Sequence, residues 1–335
     1  MGAGTRRFEA AGDRVRADGA GATRLAAGFT VRGEELSAPV RIAIGDSEAR
    51  TYRGSIAIRS RSSRLILTNW VLLEDYLRSV VPLELSADAP RAALQAQAVA
   101  ARSYALAAGD RHADMPYNFC DSSHCQLYLG VRSEAPRTDA AVQATEAQVL
   151  TYGGKVIEAT FHSCCGGATS AIADVWAGGK PVPYLVSCSD IGPDGAYCRG
   201  SPHFRWDFRV SAAELLRALR GSPSSDPGGR LLSVGVVERD AAGRAMVVEI
   251  VGERRVTMTG GELRSLLSRT LGDDSLRSTR FVVGQRGDMY VFEGTGHGHG
   301  VGMCHWGAMG RAEAGQSYEE ILRHYYPGTT LGKLP

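Results

Sequence analysis

An α+β fold with mixed and antiparallel strands is the class this sequence predicts, and three observations carry the prediction. Short runs of Ile, Val and Leu, broken by Gly and Ser, read as strands through much of the chain. Residues 91–108 are instead dense in Ala, Leu and Gln, which are strong helix formers. Strands and helices do not alternate in a βα rhythm, and no internal repeat is visible.

The 335 residues suffice for one large or two ordinary domains. A 44% hydrophobic and 22% charged composition is that of a globular chain with a substantial core. The formal net charge of +2 neither demands nor excludes a polyanion by itself, and no nucleic-acid partner is expected. No apolar run has spanning length, so no transmembrane segment is expected. Arg6, Arg7, Phe8 and Glu9 lead into a polar, Gly/Ala-rich segment, so no signal peptide is visible.

Taken in order, residues 1–38 are weakly patterned and read as a mobile or weakly ordered arm, with one domain over residues 39–335. Strands are expected at 41–44, 54–59 and 65–73, and a helix at 75–78. Val80, Val81 and Leu83 form an apolar run interrupted by Pro82, and Glu84 follows. Ser86, Asp88 and Pro90 are helix-start signals for 91–108. Apolar and small residues recur there every three or four positions, so this helix should be buried. Residues 110–130 read as an irregular loop. A helix at 138–145 precedes strands at 148–152 and 156–161, joined by a Gly153–Gly154 turn. Helices are expected at 211–219 and 261–271. Between them lie a hairpin of 231–240 with 244–253 and a strand at 254–258. Residues 222–229 are a loop by composition.

Glu84 stands among Val, Pro and Leu at the mouth of a buried helix. That setting resists ionisation and suits a carboxyl that holds a proton near neutral pH. The alternative is a structural cap or an ion pair to Arg102. Arg102, Gln97 and Tyr104 lie on the helix after the glutamate. A planar guanidinium there can fix Glu84 or bind a substrate carboxylate.

His112, Cys120, His124 and Cys125 place two thiols and two imidazoles within fourteen residues, the ligand types of a tetrahedral zinc site. A Cys120–Cys125 disulfide or a solvated loop are the alternatives. Seven cysteines favour an oxidising compartment, a zinc site, or both, and the odd count leaves at least one unpaired or serving as a ligand. Cys188 with Cys198, or Cys165 with Cys198, are rival disulfides. The block GHGHGVGMCHWGAMG carries His297, His299 and His305 in a glycine-dense turn. Cys304 beside His305 raises a Cys/His hydrolase, although sequence adjacency rarely builds catalytic geometry.

Two of these stretches resemble one family. VLLEDYLRSVVPLELSADAPRAALQAQAVAARSYAL is similar to the signature of the SpoIID/LytB family of stage II sporulation protein D and amidase-enhancer proteins, and GHGHGVGMCHWGAMGRA is similar to its closing motif. The resemblance runs from about Arg41 to Pro335, and FHSCCGGATS resembles a further family segment. It implies a SpoIID-like fold and a lytic transglycosylase acting on peptidoglycan glycan strands, with Glu84 as the acid and base. It further implies substrate contacts from His299, an extracytoplasmic location and a cell-wall amidase as a partner. Glu74 matches a family position and is read as structural. Some relatives carry a zinc in the loop that CDSSHCQLYLG resembles; here zinc is expected to brace the site, with no cofactor for catalysis. Three positions depart from the family pattern. Gln95 stands where relatives commonly have Lys, and Cys304 with His305 where many have Ser and Gln. A retained Glu84 favours the enzyme, and these departures leave open the alternative of a non-catalytic wall-binding amidase enhancer.

Overall fold

In the computed structural model, which describes residues 6–19, 22–33, 38–109, 111–176 and 178–334, the chain divides into two units. The first takes the chain to residue 88 together with 105–146, and the second takes 89–104 and 147 onward. The stretch 39–335, over which one domain was expected, has parts in both units.

The first unit begins where a weakly ordered arm was expected. Among the described residues, Arg7–Ala11, Arg14–Gly19 and Ala22–Ala26 form a three-stranded antiparallel sheet, and Gly28–Arg32 adds to a second sheet. In that second sheet Ser55–Arg61 is central, flanked by Gly28–Arg32 and Arg64–Trp70. The reason for the difference is tertiary. Each N-terminal strand has too few apolar residues to show an alternation, but Val15, Ile56 and Ile58 share one core against which Phe8, Phe29 and Leu67 pack. The hairpin turn at Ser62 and Ser63 has both residues at positive φ (51° and 57°), as a type I′ turn needs. Its backbone is held by Asp13, which accepts from Ser62 N–H at 3.0 Å, and Ser60 donates to Gly12 O at 2.6 Å. The short strand Arg50–Tyr52, which the sequence did not signal, pairs with Val40–Ile42.

Helix α1 runs over Leu73–Glu84, through Pro82, and is longer than the 75–78 expected. An interior proline costs about 3 kcal/mol. Leu77, Val80 and Val81 are wholly buried, which offsets that cost. Helix α2 (Arg91–Ala107) is buried through its middle, with residues 93–94 and 96–103 at or near zero exposure, as its small side chains predicted. Helix α3 (Pro136–Ala144) opens with proline in its first turn. It is tied to α1 by Arg78, which reaches Asp139 at 2.6 Å and Glu134 at 3.0 Å, and Glu134 also takes a bidentate pair from Arg53.

The second unit holds a short helix α4 (Ile172–Val175), then α5 (Ala212–Leu219) and α6 (Gly260–Leu271). Ser211 with Glu214 and Thr259 with Glu262 close full capping boxes on α5 and α6. The sheets Arg205–Ser211/Met289–Thr295/Phe281–Arg286 and Leu231–Arg239/Ala245–Gly252/Arg255–Thr259 share one core with these helices, centred on Leu215, Val248, Leu263 and Phe292. The hairpin expected over 231–253 is present. The strand expected at 156–161 is two pieces, Lys155–Val156 and Phe161–His162. Between them the backbone bonds to itself, Ala159 N–H to Ile157 O and Thr160 N–H to Glu158 O, each at 3.0 Å. Phe161–His162 instead pairs in parallel with Met303–Cys304, which leads into α7 (His305–Glu313) and α8 (Tyr318–Tyr325).

Candidate functional site

Glu84 is the last residue of α1. The following residue, Leu85, leaves the helix with extended backbone yet still donates to Val81 O at 3.0 Å. The Glu84 carboxyl is pushed above the usual carboxylate range, because burial penalises its charged form. One backbone N–H, from Leu127, opposes that shift. A helix C-terminus is the negative end of the helix dipole, and no Lys or Arg stands in this last turn, so the position favours the protonated acid further. Glu74 sits in the first turn of the same helix, where a negative charge meets the positive end of the dipole. That placement suits the structural role expected of it.

The loop that supplies Leu127 is built from side chains just upstream. Tyr76 on α1 donates its hydroxyl to Gln126 Oε1 at 2.9 Å and stacks on Phe119 at 6.3 Å. Within the loop, His112 Nε2 lies 3.3 Å from Cys125 Sγ, and His124 Nδ1 lies 3.6 Å from Cys120 Sγ and 3.5 Å from Cys125 Sγ. All four donor atoms fall within 4.8 Å of one another. Two sulfurs and two imidazole nitrogens at that closeness fit a tetrahedral zinc. Cys125 is two residues from Leu127, so a metal here would fix the backbone that touches Glu84.

The second unit brings together the other residues singled out by sequence. Arg102 is fully buried and donates Nη1–H to Gln148 O at 3.0 Å, so its guanidinium is used within the fold. Both amide atoms of Gln97 are buried with no hydrogen-bond partner among the described residues. An unmet buried amide costs about 1–3 kcal/mol, which makes Gln97 a candidate for function. Tyr104 packs 6.1 Å from Phe161, whose ring lies 5.3 Å from His305. His299, the substrate-side histidine of the sequence reading, has both ring nitrogens engaged by backbone. Nε2 donates to Phe161 O at 2.8 Å, and Nδ1 accepts from Val301 N–H at 3.1 Å. That pattern fixes a neutral ring, and burial lowers its pKa to about 4. The sequence reading did not single out His162, whose Nδ1 faces Val301 O while Nε2 has no partner among the described residues, or Trp176, which is 40% exposed and 5.2 Å from His299. His162 stands inside the FHSCCGGATS block, which was the signal available for it.

All seven cysteines are free thiols. Cys188 faces Val186 O at 3.7 Å and takes no part in a pair, whereas Cys165 and Cys198 lie sulfur to sulfur at 3.5 Å. The Cys/His hydrolase is not supported by this geometry. Cys304 is wholly buried, and its sulfur accepts N–H from Cys165 and Gly307. Among the described residues no histidine is hydrogen-bonded to it, so no base is placed to activate a thiolate.

Residues 61–152 match the family model described as stage II sporulation protein, a stretch that holds α1, Glu84, α2, the His/Cys loop and α3. Residues 192–302 match a second model, a domain of unknown function. An uncharacterized protein of Brachyspira hyodysenteriae is 32% identical over 281 residues, covering 84% of this chain and 72% of that protein. The amidase enhancer of Bacillus subtilis is 29% identical over 302 residues, with 76% of this chain but only 40% of that protein covered. Stage II sporulation protein D of Bacillus subtilis is 26% identical over 276 residues, covering 78% and 74%. These matches define the class, an α+β protein of the stage II sporulation protein type. The chain belongs to the SpoIID family. Among the described residues no helix is long and apolar enough to cross a membrane.

Proposed function

We propose that this protein is a peptidoglycan lytic transglycosylase in which Glu84 serves as both acid and base. The observation that carries the reading is the carboxyl of Glu84, desolvated at the end of α1 and displaced towards its protonated form. The protonated carboxyl donates to the oxygen of the MurNAc–GlcNAc bond as the bond from the anomeric carbon breaks. The C6 hydroxyl of the same muramic acid then attacks that carbon, and the Glu84 carboxylate takes its proton. A 1,6-anhydro end forms, the acid is regenerated and no water is consumed. One carboxyl therefore suffices where hydrolytic glycosidases use two.

In this reading the buried Gln97 and Tyr104 act by shaping α2 from within, and Arg102 holds α2 to the strand Gln148–Tyr152. His299 acts by shaping the Gly-rich turn. His112, Cys120, His124 and Cys125 would hold a structural zinc, which supplies rigidity to the loop and no chemistry. The substrate is glycan, with peptide-stripped strands favoured, and the site of action is outside the cytoplasm. Purified protein incubated with intact and with amidase-stripped sacculi, beside a Glu84→Gln variant, tests the reading. Anhydro-muramyl products lost in the variant support it. Wall binding without any released sugar removes it.

A second reading is favoured by one finding, the similarity to a protein named amidase enhancer over 76% of this chain. In that case the protein binds the wall and stimulates a cell-wall amidase. It would then release stem peptides faster only when the amidase is present, and Glu84→Gln would leave that stimulation intact.

A further inference from the structure

A second set of ligand-type side chains lies far from Glu84 in sequence. Cys165, Asp190, Cys198 and Cys304 each show zero exposure, and their donor atoms lie within 4.8 Å of one another. The four come from separate segments: the turn after Phe161–His162, the two sides of the small ribbon Ile191–Gly192/Gly195–Ala196, and the cap of α7. We propose that these residues form a buried structural zinc site, with three thiolates and one carboxylate oxygen as ligands.

The distances suit that assignment. Cys165 Sγ lies 3.5 Å from Cys198 Sγ and 3.3 Å from Asp190 Oδ2. Two sulfurs bound tetrahedrally at about 2.3 Å from one zinc stand roughly 3.8 Å apart, whereas a disulfide closes to about 2.05 Å. A disulfide between Cys165 and Cys198 would in any case leave Cys304 and Asp190 unused.

The surroundings are arranged for thiolates. Cys304 Sγ accepts N–H from Cys165 at 3.1 Å and from Gly307 at 3.2 Å, and Cys165 Sγ accepts from Gly167 at 3.3 Å. Such donors stabilise negative sulfur. Gly167 makes its bond with φ at +111°, a conformation glycine adopts without strain.

Asp190 is oriented from behind. Its Oδ1 accepts from Arg311 Nε at 3.0 Å and from Tyr325 at 2.8 Å, which leaves Oδ2 turned to the thiols. Partners of this kind fix ligating carboxylates in metal sites. A Cβ on Gly307 would collide with Asp190 Oδ2 and with Tyr325, so this glycine makes room for the carboxylate. Zinc and Arg311 together offset most of the four negative charges, and soft sulfur donors select zinc over hard cations.

The test uses the full chain carrying Cys120→Ser and Cys125→Ser, which removes the thiols of the loop set. After dialysis against zinc-free buffer, this protein should retain about one zinc per chain by elemental analysis. Its cobalt-loaded form should show intense sulfur-to-cobalt charge transfer in the near ultraviolet. Adding Cys198→Ser and Cys304→Ser should abolish both signals. No retained zinc in the parent variant overturns the proposal, as does a two-dalton loss marking a Cys165–Cys198 disulfide. Zinc retained after Cys198→Ser and Cys304→Ser overturns it by placing the metal elsewhere. If that last variant does not fold, the cobalt spectrum of the parent decides, and absent charge transfer rejects the site.

Discussion

The loop beside Glu84 and the glycine-rich turn around His299 use similar side chains to opposite ends. In the first, the thiols and imidazoles are half-buried or exposed, come from one short segment, and sit beside a carboxyl moved up by burial. In the second, the thiols are buried and the imidazoles buried or half-buried, they come from segments far apart, and they are largely committed to backbone partners. Burial drives both ionisable groups towards neutrality, upward for the acid and downward for the base. The first region leaves its thiols and imidazoles partly open to solvent. The second uses its own to hold the chain.

The sharpest way to break this comparison is to exchange the effects. Glu84→Gln should lower anhydro-product formation by at least about 10³-fold, in the range of a lost general acid, with thermal unfolding little changed. A comparable loss from His299→Gln at unchanged stability would erase the distinction. Gly302→Ala should act in the other sense. Gly302 has φ +71° and a Cβ there would collide with Thr160 O, so the variant should lose about 2–4 kcal/mol in denaturant unfolding.

Stability against pH should separate the regions by sign. His299 is held at about 4 in the fold against 6.5 for a free imidazole, so the unfolded chain binds the extra proton between those values. Its contribution is present above pH 6.5 and lost as pH falls towards 4. Glu84 is raised, so the folded chain binds the extra proton, and its contribution is present at low pH and lost as pH rises. His299→Gln should flatten the acid limb of Tm against pH, and Glu84→Gln the limb above it. Activity should likewise fall as pH rises through the raised pKa of Glu84, since the acid must hold its proton. The smallest effect is expected from Cys120→Ser with Cys125→Ser. That pair should leave the Tm of the second unit unchanged within about 0.5 kcal/mol of stability while speeding proteolysis within residues 111–129.

The sequence was most legible where order is local. The helix at 91–108 was foretold by its helix formers and start signals, and its burial by small residues. The loop set was visible because its four candidate ligands fall within fourteen residues. The hairpin at 231–253 and the helices after Ser211 and Thr259 carried their own turn and cap chemistry. Legibility failed where neighbours are distant in sequence. The N-terminal strands looked like an arm because each holds too little apolar surface to declare itself. Helix α1 runs past the expected 75–78 and through Pro82, whose cost is offset only by the burial of Leu77, Val80 and Val81.

Composition, periodicity and motif by themselves determined an α+β member of the SpoIID family, the candidate acid Glu84 and the candidate loop ligands His112, Cys120, His124 and Cys125. These follow from residue types at short spacing, which the chain cannot rearrange. Tertiary structure alone decided that Glu84 ends a helix with Leu127 N–H beside it, that His299 spends both nitrogens on backbone, and that Asp190 joins three cysteines. Those outcomes depend on which distant segments pack together, and burial and hydrogen bonding at that contact set the protonation and the role of each group.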